Sequence, residues 1–407
     1  METKQMHVVA NLSALESDGI INADVSRVMR QRSRETMVML GINVILCGGI
    51  LAATAGLIFW LASALSVAIT GIVFLVAGLF VLLNGKDTYR MFGNAASLIG
   101  AGMLVGGAGL ELVDKYPDQA SLIMAGLGAL VALGFGYLSR RHASKIGFVA
   151  GAAFLMGIVL HLAGLYFALE HYGVNGLAVS LSHLYAAVLI AFAGWFVDVR
   201  LVTALAIVPF AQVLDTSTSY FHAAYVFYSP ESTLSILQMI PIFLGGYLLA
   251  YGMSDRSARH SRILATMAFI VANLCALVGS LWGDVVGSHI WGPLRREFDD
   301  WQEWRDASDA FKEMAFTISS DMYSIVWAVA LVVLVFVAAH RNNRALFNTA
   351  LTFGGIHAYT QLFESFADEP LAWVIGGLAA IPLAWGLWRA NQWFTSKDAL
   401  LAQGSSG

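Results

Sequence analysis

Charge is what this sequence has least of. Of its 407 residues, 12% are Asp, Glu, Lys or Arg, against about a quarter in an ordinary soluble domain. That shortage excludes a water-soluble surface of normal extent. The net charge of −4 is spread over many loops, and no basic patch marks a nucleic-acid partner. Cysteine is scarce too. Cys47 and Cys275 both fall in apolar runs, which rules out a disulfide framework and leaves two thiols packing as small hydrophobes. The glycines do not sit in the strand–turn–helix context that a phosphate-binding loop requires. His-Glu-x-x-His spacing is missing, so a zinc site would need scattered ligands. No nucleophile elbow or paired acidic motif announces a hydrolase. No cleavable signal peptide is expected, because roughly 35 polar or mixed residues precede the first long apolar run.

What is present is hydrocarbon. The chain is 58% hydrophobic with a mean hydropathy of +0.70, arranged as apolar runs of roughly 20 residues between short polar clusters, the signature of membrane-spanning helices. The expected spans are Val38–Trp60, Leu61–Leu83, Phe92–Val113, Ala120–Leu138, Ile146–Leu169, Leu177–Val197, Leu201–Tyr228, Leu234–Tyr251, Ile263–Leu281, Met322–Ala339, Leu346–Phe363 and Leu371–Trp388. The fold class is therefore all-α, a polytopic helical bundle of about twelve transmembrane helices. The first two spans abut and must form a tight hairpin. The seventh is too long for a straight crossing, and Pro209 offers it a kink.

Residues 1–36 read as a cytoplasmic helical prelude, 37–398 as the transmembrane domain, and 399–407 as a tail ending in a linker-like Gly404-Ser405-Ser406-Gly407. In the prelude, Asn22 or Asp24 can cap a helix running to Arg34. Arg27, Arg30, Arg32 and Arg34 crowd its end, as a topology signal or a site for anionic headgroups. With both termini inside, all but Lys115, Arg295, Arg296, Arg305 and Lys312 of the 23 basic residues fall on the inner side, as the positive-inside rule requires. Glycine, at 39 residues, is dense within the spans and lets helix backbones approach closely. The long outer loop, 284–320, carries a predicted amphipathic helix over Pro293–Met314, with Leu294, Phe298, Trp301 and Trp304 on its apolar side. It is placed to lie in the outer interface as a lid or an anchor.

Leu12-x-x-Leu15, then Gly19-Ile20-Ile21, then a basic helix running into Gly-rich spans resembles the bacterial membrane proteins grouped as domain of unknown function 2157. The resemblance covers the prelude and the first few spans. It implies a bacterial inner-membrane protein, and it carries no functional residues with it.

The remaining signal is polarity at membrane depth. Gln212, Asp215, Ser219 and His222 form one stripe if the seventh span is a helix. Asn273, Ser280 and Asp284 form a second, and His357, Gln361 and Glu364 a third. His161, His183, Asp321 and Glu111 lie toward the same outer side. Ionisable groups in hydrocarbon are costly and should face protein, water or a ligand. The candidate site joins Asp215, His222, His357 and Glu364, supported by His161, Asn273 and Gln361, with no metal assigned. Haem would need His161, His222 or His357 to pair at matching depth, and no cofactor is assigned. The leading expectation is a transporter or solute-binding membrane protein for a small polar or cationic solute. The alternatives are a membrane enzyme acting on a lipid-linked substrate at the outer leaflet and a non-catalytic scaffold. Expected partners are membrane lipids, the solute or lipid-linked substrate, and a second copy or another protein.

Overall fold

The computed structural model of the protein describes residues 15–16, 19–34, 63–85, 90–221, 226–341 and 343–366, with isolated positions among 52–56 and 369–389. Apart from those isolated positions, the expected first span Val38–Trp60 and the twelfth, Leu371–Trp388, lie outside the described residues, as does His222. In the prelude, residues 23–34 form a helix, and Asn22 Oδ1 accepts from Val25 N at 2.8 Å as its cap.

Among the described residues eight helices are long and apolar enough to cross a membrane. They are α1 (Ala64–Asn84), α2 (Arg90–Lys115), α3 (Pro117–Arg141), α4 (Ala143–His171) and α5 (Leu177–Val197), followed after a break by α8 (Ser232–Leu249), α9 (Asp255–Trp282) and α11 (Ser320–His340). The helix α12 (Arg344–Phe366) forms where the eleventh span is expected, but is not among the eight. The surfaces are as apolar as the interior. On α11, Ile325, Val326, Val329, Val332, Val333 and Phe336 are all more than half exposed. Contiguous patches of that kind are rare on soluble monomers and ordinary against lipid. This is a multi-span helical membrane protein.

Its contacts divide into two compact units, Met1–Ala168 and Leu169–Gly407, the boundary falling in the last turn of α4. In the first unit, small residues make the helix seams. Gly71 and Gly78 of α1 face Gly100 and Gly93 of α2, Gly107 of α2 packs on Ala64 and Ala68 of α1, and a Cβ built on Gly71 would lie 2.5 Å from the Leu104 amide nitrogen. Gly157 of α4 meets α3 in the same way, its Cβ 2.6 Å from Ala132 N. The seam glycines recur every seven residues, the period at which antiparallel helices wound about one another return to the same face. Without a solvophobic drive between helices in lipid, such close backbone packing is the main source of association. Glu111 of α2 caps the neighbouring helix, accepting from Leu65 N at 3.1 Å while paired with Lys115.

The second unit departs from the sequence expectation in three places. First, Leu201–Tyr228 is not one kinked helix. It is two short helices, α6 (Arg200–Leu205) and α7 (Ile207–Phe210), then turns, then a hairpin of β1 (Ser219–Phe221) and β2 (Val226–Tyr228). Pro209 brings no amide hydrogen to the helix. Beyond it Asp215 and Ser217 take left-handed conformations at φ 56° and 50°. The hydroxyls of Thr216 and Thr218 compete with helical bonding. The proposed stripe Gln212–Asp215–Ser219–His222 therefore has no helical face to lie on. Second, α9 stops at Trp282, because Gly283 at φ 69° ends it. Asp284 consequently leaves the Asn273–Ser280 face and enters a short bridge, β3 (Asp284–Val285), paired with β4 (Thr317–Ile318). Third, the loop helix α10 runs Trp301–Met314, not from Pro293. Residues 294 and 298 are extended around a 3-10 turn, Arg295–Glu297, and Asp300 takes the N-cap place. Pro293 instead offers its carbonyl to Trp304 Nε1 at 3.0 Å.

The core of this unit gathers Ile207, Met239, Phe243, Phe269, Trp327 and Phe353 from five helices. α8 and α9 are joined by a short turn and run antiparallel, with Phe243 stacked on Phe269 at 4.9 Å.

Candidate functional site

Asp198 and Thr218 show how the broken segment runs. Asp198 meets Arg259 and His260 in the opening turns of α9. Thr218 meets Ser235 in the first turn of α8, with 2.6 Å between hydroxyl oxygens. Those are opposite ends of an antiparallel pair, so residues 200–231 cover the length of a span with only a short helix, Arg200–Phe210, to do it. Irregular backbone at membrane depth must be satisfied by protein. Here it is. Gln238 of α8 donates to the Phe210 carbonyl, Gln212 to the Thr218 carbonyl, and Thr216 Oγ1 to the Ala211 carbonyl at 3.1 Å.

Around that unwound turn lies a buried cluster of neutral donors and acceptors. Thr218 Oγ1 is 2.9 Å from Ser229 Oγ and 3.3 Å from Thr216 Oγ1, and Ser229 Oγ donates to Cys275 Sγ at 3.5 Å. The five residues of this cluster, Thr216, Thr218, Ser229, Ser235 and Cys275, are each at most 3% exposed. Beside it Glu231, fully buried, precedes α8 at the positive end of its dipole. Its carboxylate accepts from Gly287 N at 2.7 Å and His289 N at 2.5 Å. The His289 ring in turn reaches Ser217 Oγ at 2.7 Å. A single buried carboxylate thus ties the 283–294 loop to the unwound segment. Its chemical signal in the sequence, a lone Glu beside Pro230 in a loop, was too ordinary to single out.

A second feature is an apolar groove of about 500 Å³ between α8, α9 and α11. Its walls are Leu237, Leu244, Ala276, Val326 and Leu334 among others, and its polar residues are Thr233, Asn273 and Tyr323. Thr233 Oγ1 and Tyr323 OH are 2.5 Å apart, and Asp284 Oδ2 accepts from Thr233 N at 2.8 Å and from Tyr323 OH at 3.4 Å. Trp327 donates to Asn273 Oδ1 at 2.8 Å, and the His357 ring packs edge-on against Trp327 at 4.6 Å.

A third cluster closes the other end of the pair. His260, 3% exposed, sits between Thr203 Oγ1 at 2.6 Å and Asp198 Oδ1 at 2.8 Å. Arg256 donates to the last carbonyls of α5, Trp195 and Phe196, and stacks over the Trp195 ring at 5.2 Å. The hydrogen bond from His260, with Arg256 and Arg259 beside it, holds the Asp198 carboxyl below its usual range against the opposing cost of partial burial.

The predicted site residues distribute as follows. Asn273 and His357 come together through Trp327. Gln361 and Glu364 follow His357 on α12, half-buried and exposed. Asp215 is exposed in the loop after α7, where it interacts electrostatically with His183 of α5. His161 belongs to the first unit and bonds through Nδ1 to the Ala125 carbonyl at 2.8 Å, a helix–helix tie. Asp321 lies in the first turn of α11. Among the described residues no group of three or more His, Cys, Asp or Glu is placed to hold a metal ion. No family model, curated protein or solved structure matches the chain.

Proposed function

We propose that this protein is a bacterial inner-membrane transporter or solute-binding protein for a small polar or cationic solute, with both termini cytoplasmic. One observation carries the reading: a crossing segment that unwinds inside the second unit, against a buried cluster of hydroxyl oxygens. Interrupted spans are where membrane transporters place solute and ion sites, because unwound carbonyls and half-helix C-terminal ends are free to coordinate cations. The Phe210 and Ala211 carbonyls at the C-terminal end of α7, which here accept from Gln238 and Thr216, and the hydroxyls of Thr216, Thr218, Ser229 and Ser235 are oxygen atoms that a cation would recruit. Glu231 supplies negative charge beside them, and Asp215 and His222 belong to the same stretch of sequence. His357, Gln361, Glu364 and Asn273 support the α9–α11–α12 side, and His161 acts within its own unit.

Uptake of radiolabelled monovalent cations and of small ammonium solutes into proteoliposomes tests this. Thr218→Val and Asp215→Asn should each lower uptake at unchanged melting temperature, and His222→Ala should do the same if it carries a proton. Uptake equal to empty liposomes for wild type, or unchanged in all three variants, removes the reading. A membrane enzyme acting on a lipid-linked substrate is the second reading, favoured by the groove that ends at Thr233 and Tyr323, both bonded to Asp284. It predicts turnover of a polyprenyl- or acyl-linked headgroup instead of uptake.

A further inference from the structure

The groove of the second unit has a length, an orientation and a polar end, and together these name an occupant. On α8 its lining runs from Thr233 to Leu244, and on α11 from Met322 to Leu334. At 1.5 Å per residue these are about 16 and 18 Å. One leaflet's share of a hydrocarbon core about 30 Å thick is about 15 Å. Along that length the walls are hydrocarbon and aromatic. The rim residues Leu237, Leu244, Met322 and Val326 are half exposed or more, so the groove opens sideways, toward lipid. At one end α8 and α11 are tied by the Thr233–Tyr323 hydrogen bond, and behind that pair, bonded to both but outside the lining itself, Asp284, 7% exposed, brings a negative charge. Both described bonds to that carboxylate fall on Oδ2, and a carboxylate has about four lone-pair positions to offer.

We infer that the groove is a binding site for one membrane glycerophospholipid, with an acyl chain between α8 and α11 and an ammonium-bearing headgroup, as in phosphatidylethanolamine, at the Thr233–Tyr323–Asp284 end. Hydrocarbon suits the walls, the length suits a single leaflet, and the charge at the end favours an ammonium over a purely anionic headgroup. This site is separate from the hydroxyl cluster and does not depend on the transport reading.

Native mass spectrometry of the full chain in mild detergent tests it, with phosphatidylethanolamine and phosphatidylglycerol of identical chains supplied together. Wild type should retain one phosphatidylethanolamine. Ala330→Phe, which puts a ring into the open side of the groove, should lose it. Val329→Phe, on the neighbouring face of α11 and outside the lining, should keep it. Asp284→Asn should lower the phosphatidylethanolamine-to-phosphatidylglycerol ratio by about tenfold, the effect of one charge-assisted hydrogen bond. The Ala330→Phe arm stands by itself should Asp284→Asn fold poorly. No retained lipid in wild type, equal retention in Ala330→Phe, or a ratio that folded Asp284→Asn leaves unmoved overturns the assignment.

Discussion

His260 is almost enclosed, yet each ring nitrogen has a partner. In the neutral imidazole, Nε2–H donates to Asp198 and Nδ1 accepts from the Thr203 hydroxyl. Removing Asp198 strands a buried donor, which costs about 1–3 kcal/mol. Asp198→Ala should therefore lower the melting temperature in detergent clearly more than Asp255→Ala, a carboxylate in the first turn of the same helix. The pH sign follows from the depressed Asp198 carboxyl. Its contribution is fully present above the ordinary carboxylate value of about 3.9 and is lost as pH falls through the lower folded value. Asp198 is 44% exposed, so solvent screens this contribution to a small one, on the order of 1 kcal/mol or less. A melt series from pH 7 to 3 should show an acid loss that Asp198→Asn flattens. Glu231 is the sharper case. It is fully buried and takes two backbone amides. Glu231→Ala leaves both donors orphaned, at about 1–3 kcal/mol each. Glu231→Gln keeps one acceptor oxygen and should recover part of the lost melting temperature. Equal melts for the two variants would contradict the account.

At the scale of elements, the glycine seams and the broken segment make opposite demands on substitution. Gly71→Leu drives a side chain into the α2 backbone, because even a Cβ there lies 2.5 Å from Leu104 N. Overpacking of that kind costs about 1–3 kcal/mol and often more when backbone must move. Gly106 is in the same hairpin with open space around it. Gly106→Ala should be neutral or stabilise by up to about 1 kcal/mol, the helix-propensity difference. A pair of melts with the same sign for both would remove the seam from the explanation. In the 211–218 turn the demand is conformational. Asp215 and Ser217 hold φ values that β-branched residues avoid. Asp215→Gly should fold as well as wild type, whereas Asp215→Val should lose about 1–2 kcal/mol. The helical period alone suggested a continuous stripe here. Helical spacing of Gln212, Asp215, Ser219 and His222 is a statement about a helix, and Pro209 followed by Thr-Ser-Thr-Ser is a stronger statement that the helix ends. The same competition moved Asp284 off its stripe, since Gly283 two residues after Leu281 is a stop signal that outweighs an i+11 coincidence.

At the scale of the whole molecule, the proposed orientation makes a labelling pattern. Cysteines replacing Asp118 and Asp300 should react with a membrane-impermeant maleimide in intact cells, while those replacing Arg141 and Arg341 should react only after permeabilisation. The reverse pattern would invert the orientation, and a mixed one would change the parity of the crossings. The existence and type of the long helices were readable in advance, because in lipid every backbone group must bond within its own segment and a run of about 20 apolar residues has no other stable form. So was the packing role of glycine. The positions of Asn273 and His357 on their helices were readable as well, but not their meeting across Trp327, which depends on how α9, α11 and α12 cross. Glu231, His260 and the hydroxyl cluster were invisible, because loop carboxylates and scattered Ser and Thr carry no period.

The amino-acid order by itself thus determined a membrane-embedded, nearly all-helical chain, since hydropathy acts locally and needs no partner to be counted. Tertiary structure alone decided which polar groups meet, where a span gives up its helix, and that α8 and α11 part to leave an apolar groove. Those are properties of side chains distant in sequence finding one another in a medium that penalises every unpaired donor.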